Sequence, residues 1–218
     1  MPVGVPEFVD NPETRCPVIL LLDTSQSMSG EPMEALNQGV QVFREEVLKD
    51  TKASLSVEVA IIGFGPVQLQ QDFVTIDRFE PPGLVAEGGT PIGEAIEYAL
   101  DLLEDRKETY KENGIQYYRP WIFLITDGAP TDVWDFAAQR LHQAEAQRRL
   151  LFFAVAVEGA NMTTLKQIAP PNRAPIKLKG LNFGEFFEWL STSMKRVSTS
   201  RVGEALALPP VGWGEITT

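Results

Sequence analysis

Apolar residues along this chain recur at two alternating spacings, one typical of strands and one typical of helices. Six short segments have the character of strands, at 18–22, 55–64, 67–76, 121–126, 151–157 and 176–178. The run at 18–22 is apolar throughout and the run at 121–126 is apolar up to its last residue, Thr126, which is typical of strands buried on both faces of a parallel sheet. The segment 67–76 is more polar and follows Gly65-Pro66, so we expect it to fold back as an antiparallel edge strand.

Between these strands, apolar residues recur every three or four positions, as on the buried face of an amphipathic helix. Helices are predicted to begin near Pro32, just after Thr90 and near Asp132, with a short one ending before Pro170 and a last one over 183–197. The buried faces are predicted to carry Leu36, Val40, Phe43 and Val47 in the first, Ile92, Ile96, Ala99, Leu100 and Leu103 in the second, and Phe136, Leu141 and Ala144 in the third. This alternation predicts an α/β fold with a doubly wound, mostly parallel sheet and helices on both faces.

Three parts of the chain differ in composition. Residues 1–16 form a Pro-rich lead-in, residues 17–199 carry the alternating pattern of a folded domain, and residues 200–218 contain too many Gly and Pro residues for a long helix. The last segment keeps close-set apolar residues that a disordered tail rarely has, Leu206, Leu208, Val211 and Trp213. We therefore expect an extended arm packed on its own domain, with a partner-binding motif as the alternative.

Side chains with oxygen atoms follow two of the predicted buried strands and precede one predicted helix. Asp23, Ser25 and Ser27 come directly after the first strand, Asp127 ends the fourth, and Thr90 lies in a Gly-Gly-Thr-Pro loop before a helix. Taken singly, each has an ordinary structural explanation, as a turn residue or a helix N-cap. Because parallel strands end at one edge of a sheet, the three loops together predict one cluster of oxygen ligands. Such a set, without His or Cys, suits Mg²⁺, with Mn²⁺ as the alternative.

The three segments together resemble a known metal site. Asp23-x-Ser25-x-Ser27, Gly89-Thr90-Pro91 and Thr126-Asp127-Gly128 are similar, in order and in spacing, to the metal-ion-dependent adhesion site (MIDAS) of von Willebrand factor A (vWA) domains. The resemblance covers roughly residues 14–199. It implies a six-stranded sheet in the order 3-2-1-4-5-6 with the third strand antiparallel.

The resemblance also implies a role for each oxygen ligand. Ser25 and Ser27 would bind the metal directly, Thr90 and Asp127 directly or through water, and Asp23 would accept hydrogen bonds from metal-bound water. Gln26 is a departure, because many relatives have glycine there, and its side chain must point outward or tilt over the rim of the site. The implied function is a protein-binding module whose metal keeps one position open for an Asp or Glu of the partner protein.

A narrower resemblance concerns the bacterial TerY-type proteins, which are linked to tellurium resistance. It rests on Cys16-Pro17 before the first strand, on Gly88-Gly89-Thr90-Pro91-Ile92-Gly93, and on Asp127-Gly-Ala-Pro-Thr131-Asp132. TerY-type proteins are associated with a protein kinase and a PP2C-type phosphatase. The implied function is a scaffold in a phosphorylation-based tellurite or stress response, with the kinase or the phosphatase as a partner.

Composition and charge indicate where in the cell the chain acts and which partners it does not bind. Its 218 residues, 44% of them hydrophobic, can bury one full core, and no apolar run approaches the roughly 20 residues that cross a membrane. The amino-terminal residues lack the pattern of a signal peptide, and the single cysteine, Cys16, allows no internal disulfide, so we expect a cytoplasmic protein. The net charge of −11 repels nucleic acid and anionic membrane lipid, so neither is expected as a partner.

Two enzyme classes with similar folds are the alternatives to a binding module. A metal-dependent phosphohydrolase of the haloacid dehalogenase kind also has an aspartate after its first strand, but it needs a second acid where this chain has Ser25. A dinucleotide-dependent enzyme needs a Gly-x-Gly-x-x-Gly turn, which does not follow the first strand. His142, the only histidine, lies on a polar stretch of helix and is expected at the surface or in a groove. Because no nucleophile–base pair is evident, we expect no enzymatic activity.

Overall fold

A seven-stranded sheet forms the centre of the computed structural model, which describes residues 6–216. The strands are β1 (Cys16–Asp23), β2 (Val57–Phe64), β3 (Val67–Thr75), β4 (Trp121–Thr126), β5 (Leu151–Ala156), β6 (Ile176–Leu178) and β7 (Gly214–Ile216). Their order is β3-β2-β1-β4-β5-β6-β7. The five central strands pair in parallel, and β3 and β7 pair antiparallel at the two edges. The predicted doubly wound, mostly parallel α/β fold is therefore confirmed.

Helices cover both faces of this sheet. The described residues form α1 (Pro6–Asp10), α2 (Glu31–Leu48), α3 (Thr51–Ser56), α4 (Ile92–Glu112), α5 (Asp135–Ala146), α6 (Met162–Ile168) and α7 (Phe183–Thr199). Apolar side chains of α2 and α7 belong to one core layer, and those of α4, α5 and α6 belong to the other. Across residues 6–216, none of the helices combines the length and the apolar character needed to cross a bilayer.

The central strand β1 shows how the sequence divides between the two core layers. All eight of its residues are buried, so its side chains alternate between two apolar environments. Val18, Leu20 and Leu22 belong to the layer with α2 and α7, whereas Ile19 and Leu21 belong to the layer with α4 and α5. Full burial of one such side chain stabilises the fold by roughly 1.5–3 kcal/mol. Hydrophobic burial on both faces therefore fixes this strand at the middle of the sheet.

The start of the second strand differs from the sequence prediction. The strand predicted from residue 55 begins at Val57, because residues 51–56 form α3. The carboxylate of Asp50 caps this helix by accepting a hydrogen bond from Ala53 N at 2.8 Å. The cap satisfies the backbone N–H of Ala53, which in a strand would have needed a partner on a neighbouring strand. Residues 55 and 56 therefore belong to α3.

The helix after β4 also differs from its prediction. It begins at Asp135 and not near Asp132, and its Phe136, which was predicted on the buried face, is 65% exposed. Five positions along a helix turn it by about 140°, so Phe136 and Leu141 cannot share one narrow face. The face that packs on the sheet instead carries Ala137 together with Leu141. The prediction for Phe136 was wrong.

The arm beyond α7 adds a strand that the six-stranded expectation did not include. β7 pairs antiparallel with β6, in the register Lys177↔Glu215 and Leu178↔Gly214. Just before β7, Trp213 is 2% exposed, and its ring lies 4.9 Å from that of Phe186 and 5.6 Å from that of Trp189. Strand pairing and aromatic burial thus give the end of the arm a fixed path along the edge of the sheet. The division into residues 1–16, 17–199 and 200–218 stays a prediction.

Buried charges join the lead-in to the sheet. Glu58 in β2 is 1% exposed, and its Oε1 lies 2.8 Å from Arg15 Nε and 2.9 Å from Arg106 Nη2. Arg106, on α4, also lies 2.8 Å from Glu7 of α1. A buried carboxylate is tolerated only when such cations and hydrogen bonds replace the water it has lost. This network therefore holds α1 against the amino-terminal edge of the sheet.

Candidate metal centre

The candidate site lies where the strand order of the sheet reverses. β1 pairs in parallel with β2 on one side and with β4 on the other, and Leu22 is opposite Ile125 near the carboxyl ends. The chain leaves β1 and β4 toward opposite faces, which opens a crevice between the two following loops. In doubly wound sheets this crevice is the usual place for a ligand. The polar residues predicted from the sequence follow these two strands.

Asp23 is the buried base of the site. Its side chain is fully buried, and Ser25 N donates a hydrogen bond to its Oδ1 at 2.8 Å. Thr126 Oγ1 donates to its Oδ2 at 2.5 Å. Both carboxylate oxygens are thus held by the two loops that follow β1 and β4. Each oxygen keeps a further lone pair, so Asp23 can still accept a hydrogen bond from water at the site.

Three oxygen ligands above Asp23 form a continuous chain. Ser25 Oγ lies 3.0 Å from Ser27 Oγ, and Ser27 Oγ donates to Asp127 Oδ1 at 2.8 Å. Ser25 is buried, whereas Ser27 is exposed and Asp127 is partly exposed. The cluster therefore opens from a buried carboxylate toward solvent, as a site must if a ligand is to reach it.

Thr90 reaches the same crevice from the loop before α4. Its backbone N–H donates to Thr131 Oγ1 at 3.0 Å, and Thr131 N donates to Thr90 O at 3.0 Å. A Cβ added to Gly128 would lie 3.1 Å from Thr90 Oγ1, so the hydroxyl is beside the residue that follows Asp127. The structure thus brings the predicted oxygen residues together: Asp23, Ser25, Ser27 and Asp127 are linked by hydrogen bonds, and Thr90 lies beside Gly128, the residue after Asp127.

Backbone hydrogen bonds close the ring of loops. Gln26 N donates to Gly88 O at 3.0 Å, and Glu87 N donates to Thr24 O at 2.6 Å. The Gln26 side chain is exposed, and its Nε2 donates to Ser29 Oγ at 2.8 Å. Gln26 therefore points outward, one of the two orientations predicted for it, and leaves the oxygen ligands uncovered.

Asp132 has a role that the sequence analysis missed. Its carboxylate accepts hydrogen bonds from Gly93 N at 3.1 Å and from Glu94 N at 2.8 Å, so it caps α4 from a different loop. The ordinary explanation for Thr90 was that it caps this helix, but its hydroxyl is not needed for that purpose. An acid 39 residues from the amide it caps leaves no local signal in the sequence. The sequence analysis had named Asp132 only as the approximate start of a helix and as part of the TerY-type motif.

Burial perturbs the charge of the site. Loss of solvent raises the pKa of Asp23 above its ordinary value, hydrogen bonds from Ser25 and Thr126 oppose the rise, and the neighbouring charge of Asp127 adds to it. A cation close to both carboxylates would stabilise their ionised forms. Within residues 6–216 no group of three acidic, His or Cys side chains could hold a metal, so a metal here must rely on hydroxyl oxygens as well as two carboxylates.

The other reactive residue types lie elsewhere and have structural surroundings. His142 is partly buried, and its Nε2 lies 3.0 Å from the carbonyl oxygens of both Ile168 and Ala169, in a groove as expected. Cys16 is 2% exposed, and burial raises the pKa of its thiol. Cys16 lies at the opposite end of β1 from Asp23, and His142 contacts the end of α6, so the chemistry of the site rests on oxygen atoms.

Comparison with solved structures finds the same fold in proteins of low sequence identity. The vWF domain of the type V pili tip protein Mfa5 from Porphyromonas gingivalis is 12% identical, with a TM-score of 0.60 over 89% of this chain and 99% of that chain. The pilus adhesin SpaC from Lactobacillus rhamnosus GG is 13% identical, with a TM-score of 0.62 over 86% of this chain and 31% of that one. Proximal thread matrix protein 1 from the mussel byssus is 17% identical, with a TM-score of 0.57 and coverages of 85% and 49%. The chain spans about half the length of the mussel protein.

Family membership rests on the sequence match. No curated protein matches the chain. The von Willebrand factor type A domain matches residues 18–185, which include most of β1, all of β4 and every predicted ligand of the site. That match covers most of the chain and agrees with the fold, and we conclude that the chain belongs to the von Willebrand factor type A domain family.

Proposed function

We propose that the chain is a metal-dependent protein-binding module, with Mg²⁺ as its metal and Mn²⁺ as the alternative. The ligands are the oxygen atoms of Ser25, Ser27, Thr90 and Asp127, directly or through water, with Asp23 holding metal-bound water. A divalent cation at this place supplies one open coordination position, which takes a carboxylate from an Asp or Glu of the partner.

One observation carries this proposal, the spacing of the oxygen atoms. Mg²⁺ binds six oxygens at about 2.1 Å in an octahedron, so two adjacent ligands are about 3.0 Å apart. The distances from Ser27 Oγ to Ser25 Oγ and to Asp127 Oδ1 are 3.0 and 2.8 Å. The donor set is also what a hard cation prefers. A purely hydrogen-bonded cluster has similar spacing, and a metal titration separates the two explanations.

The burial of Asp23 favours binding over hydrolysis. A phosphohydrolase of the alternative class needs an aspartate that reaches the phosphorus atom. Asp23 is fully buried and both of its oxygens accept hydrogen bonds from protein groups. It can orient water and balance charge, but it cannot serve as a nucleophile without leaving this position. We therefore propose a role without catalysis.

Apolar side chains around the site suit a protein partner. Val85 is 75% exposed and Val133 is 83% exposed, on the loops that precede Thr90 and follow Asp127, and Phe136 is 65% exposed just beyond. Val133 lies against the start of α4, since a Cβ on Gly93 would be 2.4 Å from its carbonyl oxygen. Exposed large apolar groups around a polar centre are typical of protein interfaces. They support a partner that surrounds its carboxylate with apolar residues.

The TerY-type motifs suggest which partner to test. They favour a scaffold in a cytoplasmic tellurite or stress response, with a protein kinase or a PP2C-type phosphatase as the partner. The conclusion rests on sequence resemblance, because function does not follow from the fold alone.

Metal binding predicts a change in thermal stability. A metal that binds only the folded chain, at a concentration about 100 times its dissociation constant, raises the free energy of unfolding by roughly 2.7 kcal/mol. Melting temperature should therefore be higher in millimolar Mg²⁺ than in EDTA. Ser25→Ala combined with Ser27→Ala should abolish the difference, while Thr192→Ala, an exposed hydroxyl on α7, should keep it. A double variant that responds to Mg²⁺ as the wild type does would exclude these ligands.

Partner binding should depend on the metal and on the proposed ligands. The immobilised chain should capture the kinase or the phosphatase in Mg²⁺ but not in EDTA. Asp127→Ala and Thr90→Ala should prevent capture while circular dichroism shows an intact fold, and Thr192→Ala should capture normally. The partner should lose binding when one exposed Asp or Glu is changed to Ala. Equal capture in EDTA and in Mg²⁺ would refute the mechanism even if the metal binds.

A further inference from the structure

A cavity of about 620 Å³ lies at the edge of the sheet opposite the metal centre. It is enclosed by the beginnings of β4 and β5, the end of α7 and the arm from Ser200 to Leu208. Its volume is within the roughly 300–1,000 Å³ of sites that take small organic ligands. None of the residues proposed for the metal or for the partner lines it, so any role it has is separate from that site.

Aromatic and aliphatic side chains form the inner wall of the cavity. The rings of Trp121 and Phe153 have centroids 5.2 Å apart, and each residue is 5% exposed. Leu206 and Leu208 of the arm line the opposite side, and Leu206 is 37% exposed. A ligand body placed between these surfaces would exchange water for apolar contact on two sides.

Four arginines surround this apolar wall, in a chain whose net charge is −11. Arg119 donates to the carbonyl oxygens of Leu150 and Glu145, at 2.6 and 3.1 Å. The guanidinium carbon of Arg173 lies 4.6 Å from the centroid of the Phe153 ring. Arg119 and Arg173 are therefore fixed in direction, as a guanidinium must be to bind an anion in a defined pose.

The positive charge at the cavity is incompletely balanced. Two carboxylates lie near the four arginines: Glu145 Oε1 is 3.2 Å from Arg173 Nη2, and Glu204, which lines the cavity, accepts a hydrogen bond from Arg201 N at 2.9 Å. The side chains of Arg148 and Arg201 make no ion pair within residues 6–216. Burial lowers the pKa of Arg119; Glu145 opposes this, and the charges of Arg173 and Arg148 add to the lowering. Like charges held this close repel one another, and a bound anion would remove the repulsion.

Arg148 occupies a backbone position that ordinarily selects glycine. Its φ is 58°, and among the described residues it is the one position other than glycine with positive φ. Arg149 N donates to Ala144 O at 2.9 Å and Arg148 N donates to Glu145 O at 2.8 Å, which together make a Schellman end for α5. A side chain in this conformation costs roughly 1 kcal/mol that glycine would not. Arg148 thus lies at the rim of a cationic cavity in a backbone conformation that lowers the stability of the fold.

We propose that this cavity binds a small organic anion, with a carboxylate or phosphate head held by the arginines and an apolar body held between Trp121, Phe153 and the arm. Guanidinium groups recognise both kinds of head by paired hydrogen bonds, and the aromatic wall selects a ring or an acyl chain. Binding does not require the metal, since the two sites lie at opposite ends of the parallel strands.

The test uses 8-anilino-1-naphthalenesulfonate, a fluorescent aromatic anion, and N-phenyl-1-naphthylamine, its uncharged counterpart, as probes. The anion should bind at one site, at least about tenfold more tightly than the neutral probe, and equally in EDTA and in Mg²⁺. Octanoate and phenyl phosphate should displace it, and their relative potency tells whether a carboxylate or a phosphate head is preferred. Failure of both to displace the probe would overturn the proposal.

Substitutions at the rim separate binding from folding. Arg148→Gly removes a positive charge and relieves the strain of a positive φ. It should therefore lower the affinity for the anionic probe by about tenfold, while the melting temperature stays equal or rises. Arg201→Gln, on the arm, should also lower the affinity for the anionic probe. Arg78→Gln removes an exposed arginine beyond β3 and should leave binding unchanged. Unchanged affinity in both rim variants, or equal affinity for the neutral probe, would refute the site.

Discussion

At the scale of single residues, the metal centre depends on groups that bring its loops together without providing a ligand. Gly65 follows β2 and passes directly beneath the loop that leads to Thr90. A Cβ at this position would lie 2.0 Å from Glu87 O and 2.7 Å from Thr24 O. With a methyl group at that distance, the two loops would have to move apart. The hydrogen bond that Glu87 N donates to Thr24 O would then be lost. The absence of a side chain at Gly65 is therefore a requirement of the site.

Gly65→Ala should destabilise the fold and weaken metal binding. Backbone atoms cannot rotate away as a side chain can, so the clash should cost about 1–3 kcal/mol, as overpacking does elsewhere. Urea unfolding measures the loss, and the stabilising effect of Mg²⁺ should shrink with it. Gly83→Ala is the matched control, because a Cβ at Gly83 meets no atom within 4 Å. Equal stability of the two variants would contradict this account of Gly65.

At the scale of elements, the arm completes a core layer that the α/β domain leaves partly open. Trp213 covers Phe186 and Trp189 of α7, and Trp189 Nε1 donates to Pro209 O of the arm at 2.9 Å. Tyr118 Oη, before β4, donates to Ser200 O at 2.7 Å. These contacts attach the arm at both ends, while its middle segment passes over the cationic cavity. The arm thus contributes to stability and to the cavity wall at once.

Trp213→Ala should lower the free energy of unfolding by about 3–5 kcal/mol, the range for replacing a buried aromatic residue of a core with alanine. It should also loosen β7, because Lys179 N donates to Trp213 O at 3.1 Å next to the β6–β7 pair. Phe136→Ala is the matched control, since that ring is 65% exposed and its removal should change stability by a few tenths of a kcal/mol. Guanidinium unfolding distinguishes the variants. A Trp213 variant as stable as the control would mean that the arm is dispensable for folding.

For the molecule as a whole, the two proposed sites lie at opposite ends of the parallel strands, and the middle of the sheet between them is buried. Cys16 starts the central strand β1, is 2% exposed, and has a thiol whose pKa is raised by burial. Both the low exposure and the raised pKa suppress reaction with an electrophile. Its reactivity therefore reports how often the central sheet opens and not how often a loop moves.

Labelling of Cys16 by a disulfide reagent at pH 8 should be at least about a thousandfold slower in the folded chain than in guanidinium chloride. Mg²⁺ should slow it further relative to EDTA, because the metal stabilises the folded state as a whole. Ser25→Ala with Ser27→Ala should label at one rate in both conditions. Rapid labelling of the native chain would show instead that β1 opens locally, independently of global unfolding.

The sequence pattern was enough to predict the main strands, and the resemblance to vWA domains implied their order, which the structure confirms; the five oxygen residues stay the predicted ligands. Burial on both faces makes β1 and β4 apolar up to their last residues, Asp23 and Thr126, and the polar residues at their ends are adjacent once the strands are parallel. The five oxygen residues lie in short local motifs, so their grouping follows from the strand order alone. The helix periods of α2 and α4 were also readable, but Phe136 was predicted on the wrong face of α5, and α3, which Asp50 caps, was not predicted.

Contacts between residues far apart in the chain could not be predicted and were seen only in the folded structure. The cap that Asp132 provides for α4, the pairing of β7 with β6 and the gathering of four arginines around Trp121 and Phe153 all join residues far apart in the chain. No hydrophobic period or local sequence motif predicts these contacts. Each of them depends on how helices and loops pack together, and not on which face a single segment buries. Local patterns specify which face a segment buries, whereas these contacts exist only after every segment has been placed.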